Sequence, residues 1–274
     1  LVSAPVTGCL PAAYAWKTRL FLEGALPFLW LPVWWFCISD HPRDARWISP
    51  EERDHLETIL QREAAQLEPA VKISFWRRLA RREILVMIVM NFLHNCAAYG
   101  CMAFFTDGLK AKNFSALQYG FLFAAPYALT AVIMVLNSWH SDKTAERRGH
   151  VALVYTMSGV SLILSVLTRE HFWLSYVFLC FAIPGPFAAL APFWAIPTET
   201  LPGNVFGPVI GLVNALGNTG GFAGPFIVGW LMTQYHSTAI PFNALGLGLL
   251  IAAALAFLLP KSAETQAVRV APRS

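Results

Sequence analysis

The sequence predicts an all-α protein that crosses a membrane several times. It contains seven long apolar runs, and each reaches or approaches the roughly 20 residues that a helix needs to span the hydrocarbon core. Its composition is 56% hydrophobic and 13% charged, against about 25% charged in an ordinary soluble domain. In lipid each helix satisfies its own backbone hydrogen bonds, so such runs are tolerated there. The runs cover residues 21–39, 84–106, 119–139, 151–168, 172–194, 206–232 and 239–259.

Basic residues predict the orientation. If the runs alternate across the membrane, fifteen of the twenty Lys and Arg residues share one side, in the linker 40–83, the loop near 143–148 and the tail 260–274. The positive-inside rule places that side in the cytoplasm. We therefore predict a multi-pass protein of the cytoplasmic (inner) membrane, in contact with the lipid bilayer, with linker and tail inside. Because the net charge of +4 follows topology, no nucleic-acid partner is expected.

The chain before the linker is interpreted as the remnant of a first half, residues 1–39. Residues 1–15 are apolar but too short to span, and they lack the basic start of a signal peptide. They are expected to be the outer half of a membrane helix whose beginning is missing. The chain would then be a fragment, or a product shortened at its start.

The linker 40–83 carries two helix signals. Ser49, Pro50 and Glu52 have the pattern of an N-cap, a first-turn proline and a capping box. The segment 74–83 combines an aromatic pair with four arginines. This favours a helix lying on the anionic membrane surface, and a solvated run of charges is the alternative.

Six runs follow between residues 84 and 259, joined by short loops, as expected for one half of a twelve-helix bundle. Together with the remnant, this predicts about seven complete transmembrane helices and a partial one. Pro184, Gly185, Pro186 and Pro192 predict that the run at 172–194 is irregular, which a membrane tolerates only where backbone lines protein or a cavity.

The run 206–232 has the most informative side chains. Asn214 and Asn218 are four residues apart and share a helix face, and Asn214 lies near the middle of the run. An amide at that depth must face a partner or a cavity. Asn214 is interpreted as a hydrogen-bonding contact to substrate, with interhelical packing as the alternative. For Asn218 packing is the first interpretation and substrate contact the alternative. Three glycine pairs predict close helix approach: Gly207/Gly211, Gly217/Gly221 and Gly220/Gly224.

Polar residues also mark the run 84–106. Asn91, Asn95 and Tyr99 repeat every four residues and form one stripe, which indicates either cavity lining or helix packing. His94 lies on a neighbouring face. An ionisable residue inside a membrane is a proton-relay candidate, although a single histidine without a carboxylate partner also suits a structural hydrogen bond.

The sequence also lacks residues that several kinds of chemistry require. No Asp, Glu, Lys or Arg lies in the core of the six later runs, so a cation for an anionic substrate and a titrating acid are expected in the missing helices. The five cysteines have no metal spacing, and neither a cofactor nor a metal is predicted. No His/Asp/Glu cluster or Ser/Cys–His pair meets at one membrane face, which disfavours a membrane enzyme.

Several stretches together resemble one family. His41–Glu52 resembles a linker signature, and further matching segments lie before and after it along nearly the whole chain. They are Arg19–Gly24, Asn91–Leu93 with Tyr99–Gly100, Ser141–Lys143 with Glu146–Arg148, Phe193–Thr198, Asn214–Asn218 and Gly220–Pro225. The family is the anion:cation symporters of the major facilitator superfamily, which includes tartrate, phthalate, sugar-acid and hydroxyphenylacetate permeases. The chain resembles an N-terminally truncated member, from helix 5 (partial) to helix 12.

The resemblance implies two six-helix halves that alternately open a central site to either side. It implies uptake of a small organic anion, commonly with a proton, by a protein that is a monomer at full length. It assigns substrate contacts to Asn214 and to Trp194 with Phe193 beside it, whereas Trp194 alone also suits an interfacial tryptophan. Asp142, Lys143, Arg147 and Arg148 would hold one conformational state, or form a solvated turn. A non-transporting membrane fragment or a sensor is the competing interpretation.

Overall fold

The computed structural model describes residues 21, 24–39, 41–45, 47–66, 81–110, 114–201 and 203–261. Three predicted segments therefore lie outside the described residues: the partial helix at 1–15, most of the surface helix at 74–83, and most of the tail. The described secondary structure is entirely helical. The chain divides into two compact units, Leu1–Lys72 and Ile73–Ser274.

The first unit contains short helices. A 3-10 helix at Leu26–Leu29 is followed by helix α1 at Leu31–Cys37, and each begins with a proline in its first turn. Among the described residues, the run predicted as a span at 21–39 therefore consists of short helical segments, and its apolar helix covers Pro27–Cys37. A proline lacks the N–H that would continue the ladder, and here it starts a new helix instead. A further 3-10 helix covers Pro42–Asp44 and helix α2 covers Pro50–Gln66.

The start of α2 is as the sequence predicts. The Ser49 hydroxyl accepts a hydrogen bond from the Glu52 backbone N–H at 3.2 Å, which is the first arm of a capping box. Before it, the Trp47 indole N–H donates to the Cys37 carbonyl at 3.0 Å. This bond ties the end of α1 to the residues that precede α2.

The second unit is a helical bundle. Its helices are α3 (Arg82–Lys110), α4 (Ala116–Thr144), α5 (Arg148–Leu167), α6 (Phe172–Ala182), α7 (Pro184–Ala188), α8 (Leu190–Thr200), α9 (Gly203–Tyr235) and α10 (Ala239–Ala256). Within the described residues, five segments are long and apolar enough to cross a membrane: 82–102, 118–144, 148–167, 172–200 and 239–256.

Helix α9 is continuous for 33 residues, which is about 50 Å at 1.5 Å per residue. It is not among the five apolar spans, because its glycines, prolines and asparagines lower its mean hydropathy. The sequence predicted this run from its lack of charge and its length. The helix exists as predicted.

The irregular run is confirmed as a helix broken into α6, α7 and α8. The Gly185 backbone N–H donates to the Ser158 hydroxyl at 2.8 Å. A Cβ at Gly185 would overlap that hydroxyl, so only glycine allows α7 to approach α5 this closely. Gly185, at the break in the helix, therefore packs directly against Ser158 of α5.

The main core lies between α3, α5, α9 and α10. Its fully buried side chains come from all four helices and include Met90, Tyr155, Leu162, Val213, Val228 and Leu249. A smaller aromatic cluster centres on Phe105, Tyr176 and Ile183. This arrangement buries one face of α9 and leaves its opposite face exposed in this chain.

Candidate functional site

Helix α9 packs against α3 through a stripe of small residues. A Cβ at Gly220 would overlap the Phe92 carbonyl oxygen, and one at Gly224 would overlap the Cys96 carbonyl oxygen. The close approach predicted for Gly217/Gly221 and Gly220/Gly224 is confirmed. For Gly207 and Gly211 it is not seen, because nothing among the described residues lies within 4 Å of an added Cβ.

Amides of α3 reinforce this contact. Asn91 Nδ2 donates to the Val213 carbonyl at 3.1 Å, and Asn95 Nδ2 lies 3.3 Å from the Gly217 carbonyl and 2.8 Å from the Asn91 carbonyl. Both side chains are buried. Of the two interpretations of the stripe, this geometry favours helix packing for Asn95.

Tyr99, the third residue of the stripe, has a different setting. Its side chain is 52% exposed, and its ring lies against Gly221, where an added Cβ would be 3.2 Å from Tyr99 Cδ2. The ring therefore covers the edge of the α3–α9 contact and presents its other face outward. Tyr99 is the stripe residue best placed to meet a ligand.

Asn214 and Asn218 lie on the exposed side of α9. Asn218 Nδ2 donates to Asn214 Oδ1 at 3.1 Å, so the two amides form a linked pair. Asn214 Nδ2 has no hydrogen-bond partner within the part of the chain that the structure describes. The pair thus offers a free donor at a helix position where an amide requires a partner.

Phe193 and Trp194 lie on α8 and contact each other edge to face, with ring centroids 5.1 Å apart. Phe193 is 2% exposed and belongs to the core, whereas Trp194 is partly buried at its edge. In this conformation Phe193 positions Trp194, and Trp194 has the surface that a ligand could touch.

His94 faces the interior of the second unit. Its Nδ1 lies 3.2 Å from the Tyr155 hydroxyl, and its side chain is 7% exposed. The bond links α3 to α5 on the side of α3 away from the Asn214 pair. This geometry suits the structural hydrogen bond that the sequence allowed, and the relay hypothesis stays untested.

A second group of site residues gathers at the α4–α5 loop. Arg147 forms a short ion pair with Asp142 at the end of α4, and its Nε and Nη2 donate to Glu199 Oε1 at 3.0 and 2.8 Å. Arg147 Nη1 also donates to the Ser141 hydroxyl at 3.1 Å. One guanidinium thereby joins the ends of α4 and α8. We call Asp142, Arg147 and Glu199 the arginine clamp.

The arginine clamp is partly buried. The Arg147 side chain is 12% exposed and that of Glu199 is 23% exposed. Burial alone lowers the pKa of Arg147, but hydrogen bonds and charge from Glu199 and Asp142 raise it above its ordinary value. The guanidinium therefore stays charged, as a planar fork holding two carboxylates requires.

The two other predicted loop cations act differently. Arg148 Nη1 donates to the carbonyls of Leu259 at 2.8 Å and Phe257 at 3.2 Å, so it caps the C-terminal end of α10. Lys143 lies over the Trp139 ring, 5.2 Å from its centroid, and makes a cation–π contact. Salt bridges and helix-end contacts are both present, as the resemblance implies.

The loop itself is closed by Glu146. Its carboxylate accepts hydrogen bonds from the Gly149 N–H at 2.7 Å, the His150 N–H at 3.2 Å and His150 Nδ1 at 2.9 Å. Burial raises the pKa of Glu146, but these hydrogen bonds outweigh it and lower the pKa below its ordinary value. His150 Nε2 in turn lies 2.7 Å from His140 Nδ1. Glu146, one residue before the N-cap Arg147, thus accepts hydrogen bonds from two N–H groups in the first turn of α5, where a negative charge is favourable.

Sequence reasoning left Glu199 and Ser141 out of the site. Glu199 is 52 residues from Arg147 in sequence, so no local pattern links them. The available signal was charge: Glu199 is an acid at the end of a run that otherwise lacks acids. An arginine-rich loop on the same predicted side would be its natural partner.

The apolar helices, the polar face of α9 and the charged loop define a multi-pass helical membrane protein. The model of the Major Facilitator Superfamily matches residues 1–225 of this sequence, and the chain belongs to that superfamily. Proteins of this superfamily are transporters and not enzymes.

Among similar curated proteins, two from Agrobacterium vitis named "Putative tartrate transporter" are 27% and 28% identical over 99% and 97% of this chain. A "Quinolone resistance transporter" of Acinetobacter baumannii is 25% identical over 88%. The chain spans 64%, 61% and 54% of the length of these relatives, respectively.

Proposed function

We propose that the protein is a secondary active transporter of the anion:cation symporter branch, which takes up a small organic carboxylate with a proton by alternating access. The observation that carries this is the exposed Asn214–Asn218 pair on α9, inside a member of a transporter superfamily. An amide with a free donor at membrane depth is unfavourable unless it meets a polar ligand or a polar partner helix. The similarity to proteins named as tartrate transporters supports a carboxylate.

In this proposal Asn214 donates to a carboxylate or hydroxyl oxygen of the substrate, and Asn218 holds the Asn214 amide in place. Trp194 and Tyr99 supply apolar contact area, with Phe193 behind Trp194. Asn95 is assigned to packing. The cation that neutralises the substrate and the group that carries the proton would come from residues outside the six later spans, which have no Asp, Glu, Lys or Arg in their cores.

The direct test is transport in proteoliposomes, with tartrate as the probe, by a chain that also contains the first-half helices implied by the resemblance. We expect tartrate-dependent proton uptake, which the 274-residue chain alone should lack. Asn214→Ala should weaken tartrate binding by about 5- to 150-fold, because a buried polar group of the substrate loses its partner, at about 1–3 kcal/mol. Asn218→Ala is the matched control and should weaken it less. If a folded Asn214→Ala protein binds tartrate like the wild type, Asn214 does not contact the substrate and serves packing instead.

The arginine clamp is proposed to stabilise one conformational state by joining α4 to α8. Arg147→Gln removes the positive charge that Asp142 and Glu199 share. We expect faster hydrogen exchange at the ends of α4 and α8, with the Arg169→Gln variant, at a cation outside the clamp, unchanged there. Identical exchange in the Arg147→Gln protein would show that the loop only sets topology.

The orientation is also a proposal: linker and tail in the cytoplasm. In a background free of native cysteines, Gln66→Cys should resist a membrane-impermeant maleimide in intact cells, whereas Lys112→Cys should react. The reverse labelling pattern would overturn the topology, and with it the direction of uptake.

A further inference from the structure

The second unit contains a cavity that the transport proposal does not use. It has a volume of about 470 Å³, within the range of about 300–1,000 Å³ typical of small-molecule sites. Residues of α3, α5, α6, α9 and α10 line it, together with the turns that join them. It lies near the end of the bundle that carries Arg169, which is the opposite end from the arginine clamp.

The lining follows helical periodicity, so the cavity is elongated. Along α5 and the turn after it, the lining residues are Leu162, Ser165, Val166 and Arg169, which form one face over about two turns. Along α6 they run from Phe172 to Ile183, a distance of about 16 Å at 1.5 Å per residue. A cavity of this shape suits a chain-like ligand better than a compact one.

Its polarity changes from one end to the other. Arg169 and Thr238 lie in turns and are exposed, with the Arg169 side chain 58% exposed, so they mark the mouth. Leu162, Ala182 and Ile183 are buried and mark the deep end, with Leu179 beside them. The Ser165 and Ser175 hydroxyls donate to the carbonyls of Leu162 and Ser165, at 2.7 and 2.8 Å. Their hydrogens are therefore used within the protein, and Arg169 remains the main donor at the mouth.

The Arg169 guanidinium is available to a ligand. Its ion pair with Glu170 has an Nε–Oε1 distance of 3.6 Å, with side chains 58% and 82% exposed. An exposed pair of this kind contributes little to stability and is easily exchanged. A ligand carboxylate could replace Glu170 with a better-aligned, charge-assisted bond.

Along α9 the cavity lies far from the Asn214 pair. Met232, which lines the cavity, is 18 residues from Asn214 on the same helix, or about 27 Å. We propose that this cavity binds a single-chain amphiphile with a carboxylate head, such as a medium-chain fatty acid. The head meets Arg169 at the mouth and the alkyl chain lies between α5 and α6. The proposal does not depend on which solute the protein transports.

The test uses the 274-residue chain in nanodiscs of zwitterionic phosphatidylcholine, with a dodecanoate that carries a photoreactive diazirine on its chain. Cross-links should map to peptides covering 162–183. Unlabelled dodecanoate should displace the probe and dodecanol should do so poorly, because it lacks the charge that meets Arg169. Equal displacement by dodecanol, or cross-links spread over all membrane-facing helices, would overturn the proposal.

Variants test the contact of the carboxylate head and the contact of the alkyl chain separately. Arg169→Gln should raise the dodecanoate concentration needed for displacement by about 5- to 10-fold, as expected for loss of one charge-assisted bond, while Arg169→Lys keeps most of the binding. Glu170→Gln is the matched control and should not weaken displacement. Leu179→Trp should fill the deep end and remove cross-links there, with a thermal melt showing that the variant is folded.

The competing source of the same head chemistry is a two-chain anionic lipid. If phosphatidylglycerol in the nanodisc displaces the probe as well as dodecanoate does, the fatty-acid assignment is wrong. Equal effects of Arg169→Gln and Glu170→Gln would likewise contradict the role of the Arg169 charge.

Discussion

Glycines lie on both faces of α9, but their surroundings among the described residues differ. On the face toward α3, Gly217, Gly220 and Gly224 lie so close to the neighbouring helix that a single methyl group would overlap it. On the other side, Gly207 and Gly211 have open space among the described residues. A small-xxx-small spacing therefore predicts that close approach is permitted, and the neighbouring helix decides whether it occurs.

Asparagines show the same contrast. The amides of Asn91 and Asn95 donate to backbone carbonyls at the α3–α9 contact. On the exposed side, Asn214 and Asn218 bond only to each other among the described residues. All four lie in apolar runs at four-residue spacing, so sequence periodicity treats the two pairs alike. What separates them is the angle at which each faces the bundle, which depends on how α3 and α9 dock.

The largest expected loss of stability comes from a substitution on the face of α9 that packs against α3. Gly220→Ala places a Cβ against the Phe92 carbonyl oxygen, a backbone atom that can move only if the helices separate. We expect this overpacking to lower the free energy of unfolding by about 2–3 kcal/mol. The measurement is thermal unfolding in detergent, followed by far-UV circular dichroism. An unchanged melting temperature would mean that α9 and α3 are not docked as described.

A smaller loss is expected from the amide at that contact. Asn91→Ala removes the donor to the Val213 carbonyl and the acceptor for Asn95 Nδ2. Hydrogen bonds between membrane helices contribute about 0.6–1.7 kcal/mol, so unfolding should become easier by about that amount. The same melts would measure it, with Asn91→Asp as a second variant that keeps the size but loses the donor. If both variants unfold like the wild type, the bond does not stabilise the contact.

The sequence could predict more of the fold than of the site. Apolar length, charge asymmetry and the proline cluster predicted five confirmed spans and the broken helix over 172–200. The same criteria predicted a span over 21–39 that is divided, because Pro27 and Pro32 each begin a new helix there. The arginine clamp needed tertiary information, since Arg147 meets Glu199 only once α4, α5 and α8 are packed.

The open face of α9 gives an effect of opposite sign. Gly211→Ala makes the same chemical change as Gly220→Ala, but the new methyl group meets nothing within 4 Å among the described residues. Alanine is favoured over glycine in a helix by about 0.5–1 kcal/mol, so the 274-residue chain should become slightly more stable. In a chain that also contains the first-half helices implied by the resemblance, a loss of stability for the same variant would reveal that another helix covers this face.

The smallest effect on stability is expected at Asn214. Asn214→Ala removes an exposed amide whose Oδ1 accepts only from Asn218 Nδ2, and alanine has the higher helix propensity. These changes nearly cancel, so the free energy of unfolding of the chain should shift by less than about 0.5 kcal/mol. The comparison with Asn91→Ala, made under the same melting conditions, separates the two faces directly. A loss at Asn214 as large as that at Asn91 would identify both asparagines as interhelical glue. Unchanged thermal unfolding of Asn214→Ala, together with weakened tartrate binding in a chain that also contains the first-half helices, would mean that one face of α9 serves folding and the other binds the ligand.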